Sequence, residues 1–200
     1  MGDPMKFVLA TMNPGKIREM REILSQLGYE TLTRKELGID VVIEETGSTF
    51  EENAMLKASS ICKLSHQAAI ADDSGLVVDA LGGEPGVYSS SYGGESLDSN
   101  ERNAFLLQNM KNMEQRGAIF VCSIVCAFPD GGYITAKGEC RGEILAGPRG
   151  AEGFGYDPVF LVEGMDRTMA ELTSEEKNMV SHRGKALKEF SRLLTVRSNQ

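Results

Sequence analysis

The residues best suited to chemistry are two adjacent carboxylates, Asp72 and Asp73, in the stretch Ala71-Asp72-Asp73-Ser74-Gly75-Leu76. Apolar runs flank them, Ala68-Ala69-Ile70-Ala71 before and Leu76-Val77-Val78 after, and both read as short buried strands. Neighbouring strand residues point to opposite faces. If the chain stays extended through the pair, both acids cannot reach solvent, and carboxylates are rarely buried unless paired or bound to metal. The functional reading is a metal ligand or general base at a strand end. The ordinary reading is a turn, for which Asp-Asp-Ser-Gly is good chemistry. This stretch alone leaves the two level. Another acid pair, Glu44-Glu45, follows the strand-like Val41-Val42-Ile43, although surface charge is the commoner reason for such a pair.

Cations stand at the ends or flanks of other elements. Lys6-Phe7-Val8-Leu9-Ala10 reads as a first strand and Thr11-Met12-Asn13-Pro14-Gly15-Lys16 as the loop after it. Ile17, Met20, Ile23, Leu24 and Leu27 form the apolar stripe of a helix that Gly28 ends. Strand, glycine-containing loop and helix can set backbone N–H groups and a lysine on a phosphate. The GxxxxGK[ST] pattern of a Walker loop is absent, and by itself the segment is more simply a strand-to-helix turn with a solvated Lys16. Thr49-Phe50-Glu51-Glu52 is a capping box that opens a helix to about Leu64. Asn53 and Lys57 share one face of it, beside a stripe of Phe50, Ala54, Met55, Ala58 and Ile61. From there Lys57 either snorkels to solvent or reaches an anion beside the sheet.

The remaining elements are regular. A short strand is expected over Glu30 to Thr33 and another over Val41 to Ile43. Tyr88 to Gly94 is a polar loop, in form either a lid or a connection. Asp98 caps a helix running to about Met113, with Ala104, Phe105, Leu107 and Met110 on its buried face. Ala118 to Phe128 and Tyr133 to Leu145 make a hairpin about Pro129-Asp130-Gly131-Gly132. Gly147, Gly150, Gly153 and Gly155 precede the strand-like Val159-Phe160-Leu161; glycines let backbone approach a flat ligand, and Phe154 can stack on a base. One last helical region opens at Thr173 and carries Ala186, Leu187, Phe190, Leu193 and Leu194 as its stripe. Lys177, His182 and Arg183 fall near its start, where cations are unfavourable, which hints at an anion or ligand.

The totals narrow the function classes. A chain of 200 residues is one to two domains on a prior of ~150 each. With 41% hydrophobic and 25% charged residues it has ordinary globular composition. A net charge of −8 argues against a broad basic face for a nucleic acid polymer, while leaving room for a local cationic pocket. No apolar run approaches the ~20 residues that span a bilayer, so no membrane partner is expected. No signal peptide is visible, and Met1 to Pro4 read as an appended remnant or a disordered tail. Cys62, Cys122, Cys126 and Cys140 form no CxxC pair and lie far from His66 and His182, which disfavours zinc. Free buried thiols fit a cytoplasmic location.

Taken in register, six of these stretches resemble the Ham1 family of inosine triphosphate pyrophosphatases: Thr11 to Lys16, Glu44 to Gly47, Thr49 to Lys57, Ala71 to Leu76, Gly153 to Pro158, and Ser181-His182-Arg183-Gly184. The likeness extends from about Met5 to Leu194, and residues 5 to 196 are expected to form one domain. Met12 is the one soft departure, since a small residue is commoner there. The resemblance implies an α/β fold, an elongated mixed central sheet flanked by helices, in two lobes with a nucleotide cleft between them. It implies a homodimer that uses Mg²⁺ to hydrolyse ITP, dITP and XTP to the monophosphate and pyrophosphate, cleansing the nucleotide pool. It assigns Asp73 as proton acceptor with Asp72 beside it, and Glu44 and Asp73 as metal ligands. Thr11, Asn13, Lys16, Lys57 and Ser74 would hold the triphosphate. Phe154, Gly155, Tyr156, Asp157, Lys177, His182 and Arg183 would hold the base. The rival enzyme reading is a pyrophosphatase for a modified pyrimidine nucleotide. The rival from another class is a nucleotide-binding sensor without turnover, which missing acids would favour; Glu44, Asp72 and Asp73 are all present.

Overall fold

The computed structural model describes residues 5 to 198; the tail expected over Met1 to Pro4 lies outside them. Six strands and five α-helices follow in order: β1 (Lys6–Leu9), α1 (Pro14–Gln26), β2 (Glu30–Thr33), α2 (Phe50–Ser65), β3 (Ala69–Val78), α3 (Ser99–Asn109), β4 (Gly117–Ala127), β5 (Tyr133–Ile144), β6 (Phe160–Val162), α4 (Ser174–Val180) and α5 (His182–Ser198). The sheet order is β2-β1-β3-β4-β5-β6. β1 runs parallel to both β2 and β3, whereas β5 and β6 are antiparallel, so the sheet is mixed. The α/β class expected from the sequence is what the chain adopts.

The contacts divide the chain into two compact units, each built from separate segments. The first takes the chain up to Asp73, then Cys122–Gly138, then the residues from Arg183 on; the second takes Ser74–Val121 and Glu139–His182. In the first unit the period-two alternation of β1 sorts the core. Phe7 and Leu9 join Met20, Ile23 and Leu24 of α1 and Ala186, Leu187 and Phe190 of α5. Val8 and Ala10 join Ala54, Ala58 and Ile61 of α2 on the other face. The strand beside them repeats this, with Ile70 in the first cluster and Ala69 and Ala71 in the second. Cys122 and Cys126 share a cluster, as their spacing requires. The second unit has its own core, with Leu76, Val78, Leu106, Phe120, Val159 and Phe160 among its members.

Three expectations need correction, and one alternative left open is decided. Asp72-Asp73-Ser74-Gly75 is not a turn, because β3 runs without a break from Ala69 to Val78. Val41 to Ile43 is not a strand. Val42 is 95% exposed, and the buried guanidinium of Arg34 takes the carbonyls of Ile39 and Val41, the latter an acceptor an edge strand would offer. On α3 the buried residues are Asn103 and Leu106, at i and i+3, followed by the buried C-cap Met110, while Ala104 and Phe105 face out. A polar Asn103 on the inner face hid that stripe. The last helical region is two helices, since Ser181 adopts extended backbone and ends α4. Lys177 therefore sits in the last turn of α4, where the helix dipole favours a cation.

Candidate active site

Because β3 stays extended, alternation places its two acids on opposite faces. Asp72 keeps the parity of Ile70 and so faces α1 and α5. It is fully buried, and its Oδ2 accepts from Arg183 Nη2 at 2.9 Å and Nε at 3.2 Å. Lys16 Nζ forms an ion pair with the same oxygen at 3.1 Å. Arg183 in turn donates from Nη1 to Glu19 of α1. Burial alone would raise the Asp72 carboxyl, but Lys16, Arg183 and Lys57 outweigh it and hold it far below the ordinary range. Burial opposes the Arg183 charge likewise, and Asp72 and Glu19 overcome it to raise its pKa.

Asp73 keeps the parity of Ala69 and Ala71 and so faces α2. Lys57 Nζ donates to its Oδ1 at 3.0 Å, and Asn53 Nδ2 donates to its Oδ2 at 3.4 Å. Lys57 also reaches Glu45 Oε2 at 3.0 Å, so one ammonium joins two carboxylates from separate segments. For Asp73 burial outweighs the pull of Lys57 and Lys16, and its pKa is raised. Lys57 is raised in its turn, burial being overcome by Asp73, Asp72 and Glu45. Neighbouring groups whose environments drive them in opposite directions are the usual form of a division between a fixed charge and a proton acceptor.

The loop after β1 is built around the start of α1. Thr11 Oγ1 accepts from Asn13 N–H at 3.2 Å, and Asn13 Oδ1 caps the helix by accepting from Lys16 N–H at 3.1 Å. Pro14 occupies the first turn, where its missing donor costs nothing. Helix N-termini of this kind attract phosphate. Lys16 lies beside Asp72 in this arrangement, rather than solvated.

In the second unit the glycine-rich loop is tied by its own side chains. Asp157, buried, accepts from Phe154 N–H at 2.8 Å and from Lys177 Nζ at 2.5 Å through the same oxygen. Lys177 Nζ stands 5.0 Å from the centroid of the half-buried Phe154 ring. Gly153 has φ +78, and a Cβ there would lie 2.1 Å from Asp157 Oδ2, so only glycine allows this closure. Asn103 Nδ2 donates to Gly155 O at 3.0 Å, and Tyr156 Oη donates to Ser89 O at 2.8 Å. Burial raises the Tyr156 phenol. It serves as a neutral donor to the backbone.

The site residues expected from sequence thus fall into groups. Thr11 and Asn13 lie in the loop after β1 and Lys16 in the first turn of α1, on Asp72; Lys57 joins Asp73 to the acid loop; Phe154, Asp157 and Lys177 meet one another. Ser74 is half-buried on β3, and His182 stacks on Phe120 with ring centroids 4.7 Å apart. Arg183 binds Asp72 and Glu19 and belongs to the first unit. Glu44 is exposed, and it is Glu45 that reaches Lys57. Sequence reasoning missed Glu19, Glu45, Arg34 and the role of Asn53. Glu19 left a signal, an acid beside Met20 and four residues before Ile23 on the stripe side of α1. Glu45 left none that separates it from its neighbour.

Hard oxygen donors that converge on a single cationic atom are suited to Mg²⁺. That ion takes one or two carboxylates and completes its shell with water and phosphate. Asp73 and Glu45 offer such a pair around Lys57 Nζ, with Glu44 adjacent. Among the described residues no three His, Cys, Asp or Glu side chains gather as a closed cage. Phosphate oxygens and water would therefore be needed to complete the shell.

The sequence model of the Ham1 family matches residues 7 to 193. The chain belongs to the Ham1 family. A relative from Bacillus subtilis, named dITP/XTP pyrophosphatase, is 49% identical over 189 residues, 94% of this chain and 96% of its own. One of the same name from Thermus thermophilus is 52% identical over 186 residues, covering 92% and 89%. Among solved structures, the Ham1 protein of Staphylococcus aureus superposes with a TM-score of 0.85 at 43% identity, covering 96% of this chain and 99% of that one. The Ham1 protein of Coxiella burnetii gives 0.86 at 41%, covering 96% and 98%. The mixed sheet described above is thus the Ham1 fold. Among the described residues, no helix is long and apolar enough to cross a membrane.

Proposed function

We propose that this Ham1 protein hydrolyses dITP, XTP and ITP to the nucleoside monophosphate and pyrophosphate. The observation that carries the reading is the division of the acid pair on β3. Asp72 is held ionised by Lys16 and Arg183, while Asp73 faces Lys57, Asn53 and the acid loop. Phosphoanhydride hydrolysis needs neutralised charge, an aligned water and an acceptor for its proton. Asp73 is the acceptor in this reading, and Asp72 fixes Lys16 beside the loop that opens α1. That loop, with Thr11 and Asn13, takes the phosphates together with Lys16, Lys57 and Ser74. Asp73 and the Glu44-Glu45 loop are the residues that would hold Mg²⁺, which when bound neutralises phosphate charge and lowers the pKa of water.

Phe154 supplies the stacking face for the base, and Asp157 and Lys177 supply polar groups beside it. Tyr156, His182 and Arg183 belong to the base side on the family resemblance. Arg183 donates to Asp72 and Glu19, so Lys177 is the better supported donor to a base. An oxo group at the purine 6-position accepts from such a donor; the amino group of adenine meets it donor to donor. An unpaired buried polar group is the strongest source of discrimination a binding site has. The homodimer belongs to this reading on the resemblance alone, and the cytoplasmic location on the free buried thiols.

A panel of nucleotides assayed with and without Mg²⁺ tests the function. Pyrophosphate is expected from dITP, XTP and ITP at a kcat/KM on the order of 10²-fold or more above dATP, and only with the metal. A preference for a pyrimidine triphosphate, or orthophosphate as the product, would refute it. Binding without turnover would favour the sensor.

A further inference from the structure

Asn53 is a buried amide, 4% exposed, that faces the acid loop and Asp73 at once. Its Oδ1 accepts from Gly47 N–H at 2.8 Å, and its Nδ2 donates to Asp73 Oδ2 at 3.4 Å. Lys57, one turn later on α2, takes the other oxygen of Asp73 and also holds Glu45. The two oxygens of Asp73 are therefore held by two side chains, and the same two hold the segment Glu45-Thr46-Gly47.

The approach at Gly47 leaves no room for a side chain. A Cβ there would lie 2.6 Å from Glu52 Cβ and 2.7 Å from Asn53 Oδ1. Residues 39 to 47 have no regular structure, and Arg34 holds their other end through the carbonyls of Ile39 and Val41. Between those anchors, Glu45 is 45% exposed in its pair with Lys57. Half-exposed ion pairs hold geometry weakly. The buried amide adds a second tie between loop and strand, through Gly47 N–H at 2.8 Å and Asp73 Oδ2 at 3.4 Å.

We propose that Asn53 is a positioning residue for the hydrolysis. By joining the Gly47 amide to the Asp73 carboxylate, it sets the spacing of the acid loop from the proton acceptor and fixes the orientation of that carboxylate. The inference rests on the reading of Asp73 as acceptor. It predicts a loss in kcat rather than in KM, because the groups assigned to substrate binding are untouched.

Three variants test it: Asn53→Ala, Asn53→Asp and Gly47→Ala. Asn53→Ala lowers kcat for dITP by about 10²-fold, the scale of a small misplacement, with KM within roughly threefold. Asn53→Asp keeps an acceptor for Gly47 but sets a carboxylate against Asp73, and its kcat falls at least as far. Gly47→Ala disturbs the tie from the other side and lowers kcat in the same way. Cleavage after Glu44 and Glu45 by a glutamyl endopeptidase gives a readout apart from turnover. It accelerates in Asn53→Ala and stays at the wild-type rate in Asn53→Asp. Turnover within threefold of wild type in Asn53→Ala and Asn53→Asp overturns the proposal, and so does a fall of kcat matched by a rise in KM and a fall in thermal midpoint. Asp73→Asn in the same assay separates the two failures. If it is inactive while the Asn53 variants are normal, only the positioning role falls. If it turns over normally, or if the wild type releases no pyrophosphate, both fall.

Discussion

Asp73→Asn lowers kcat for dITP by about 10²- to 10⁴-fold, the range contributed by a positioned proton acceptor. The substitution is nearly isosteric, and the amide oxygen can still accept from Lys57 while its NH2 faces the Asn53 amide and forfeits that one bond, so the fold is expected to hold. What it removes is a basic site on the α2 face of β3. Asp72, one residue away, cannot substitute. It points to the opposite face, and Arg183 and Lys16 hold its charge. Initial rates of pyrophosphate release, with a thermal melt on the same sample, check the result. Turnover within tenfold of wild type would move the proton acceptor to another residue.

Arg183→Ala gives the largest loss of stability expected at this site. The side chain is fully buried and bridges Asp72 on β3 to Glu19 on α1, so its removal leaves two buried carboxylates to share what cations remain. Breaking a buried ion pair from one side costs about 3–5 kcal/mol, most of it the penalty of the stranded charge. Read from the sequence, the same substitution would weaken only base binding. The structure predicts a fall in the urea midpoint first, with catalysis impaired through Asp72 and Lys16. Arg183→Lys restores charge but not the forked geometry and recovers only part of the loss. A stability change below about 1 kcal/mol would mean that Asp72 and Glu19 find other partners.

Much of this is legible in the residues because it depends on short-range geometry. The capping box at Thr49 and the hairpin about Asp130 follow from local chemistry, and both form where expected. An extended Asp72-Asp73 must bury at least one charge by strand alternation alone, and the structure buries both, one on each face. The losses come where neighbours in space override neighbours in sequence. Val41-Val42-Ile43 has strand composition, yet Arg34 claims the Val41 carbonyl that a strand partner would need. Asn103 is polar and so does not read as part of the inner face of α3, although its amide has a carbonyl to meet at Gly155. Glu44 and Glu45 are the same residue type in succession. Which of them reaches Lys57 depends on the path of a loop without regular structure, and alternation gives no guide there. Motif order groups Arg183 with the base side and does not reveal that it also donates to Asp72 and Glu19.

The central claim is that groups around Asp73 direct water at the α-phosphate. A single turnover of dITP in water enriched in oxygen-18, with the products resolved by mass, tests it most directly. One labelled oxygen is expected in the deoxyinosine monophosphate and none in the pyrophosphate. Label in the pyrophosphate would mean attack at the β-phosphate, and labelled orthophosphate would mean cleavage at the γ-phosphate; either would contradict the claim.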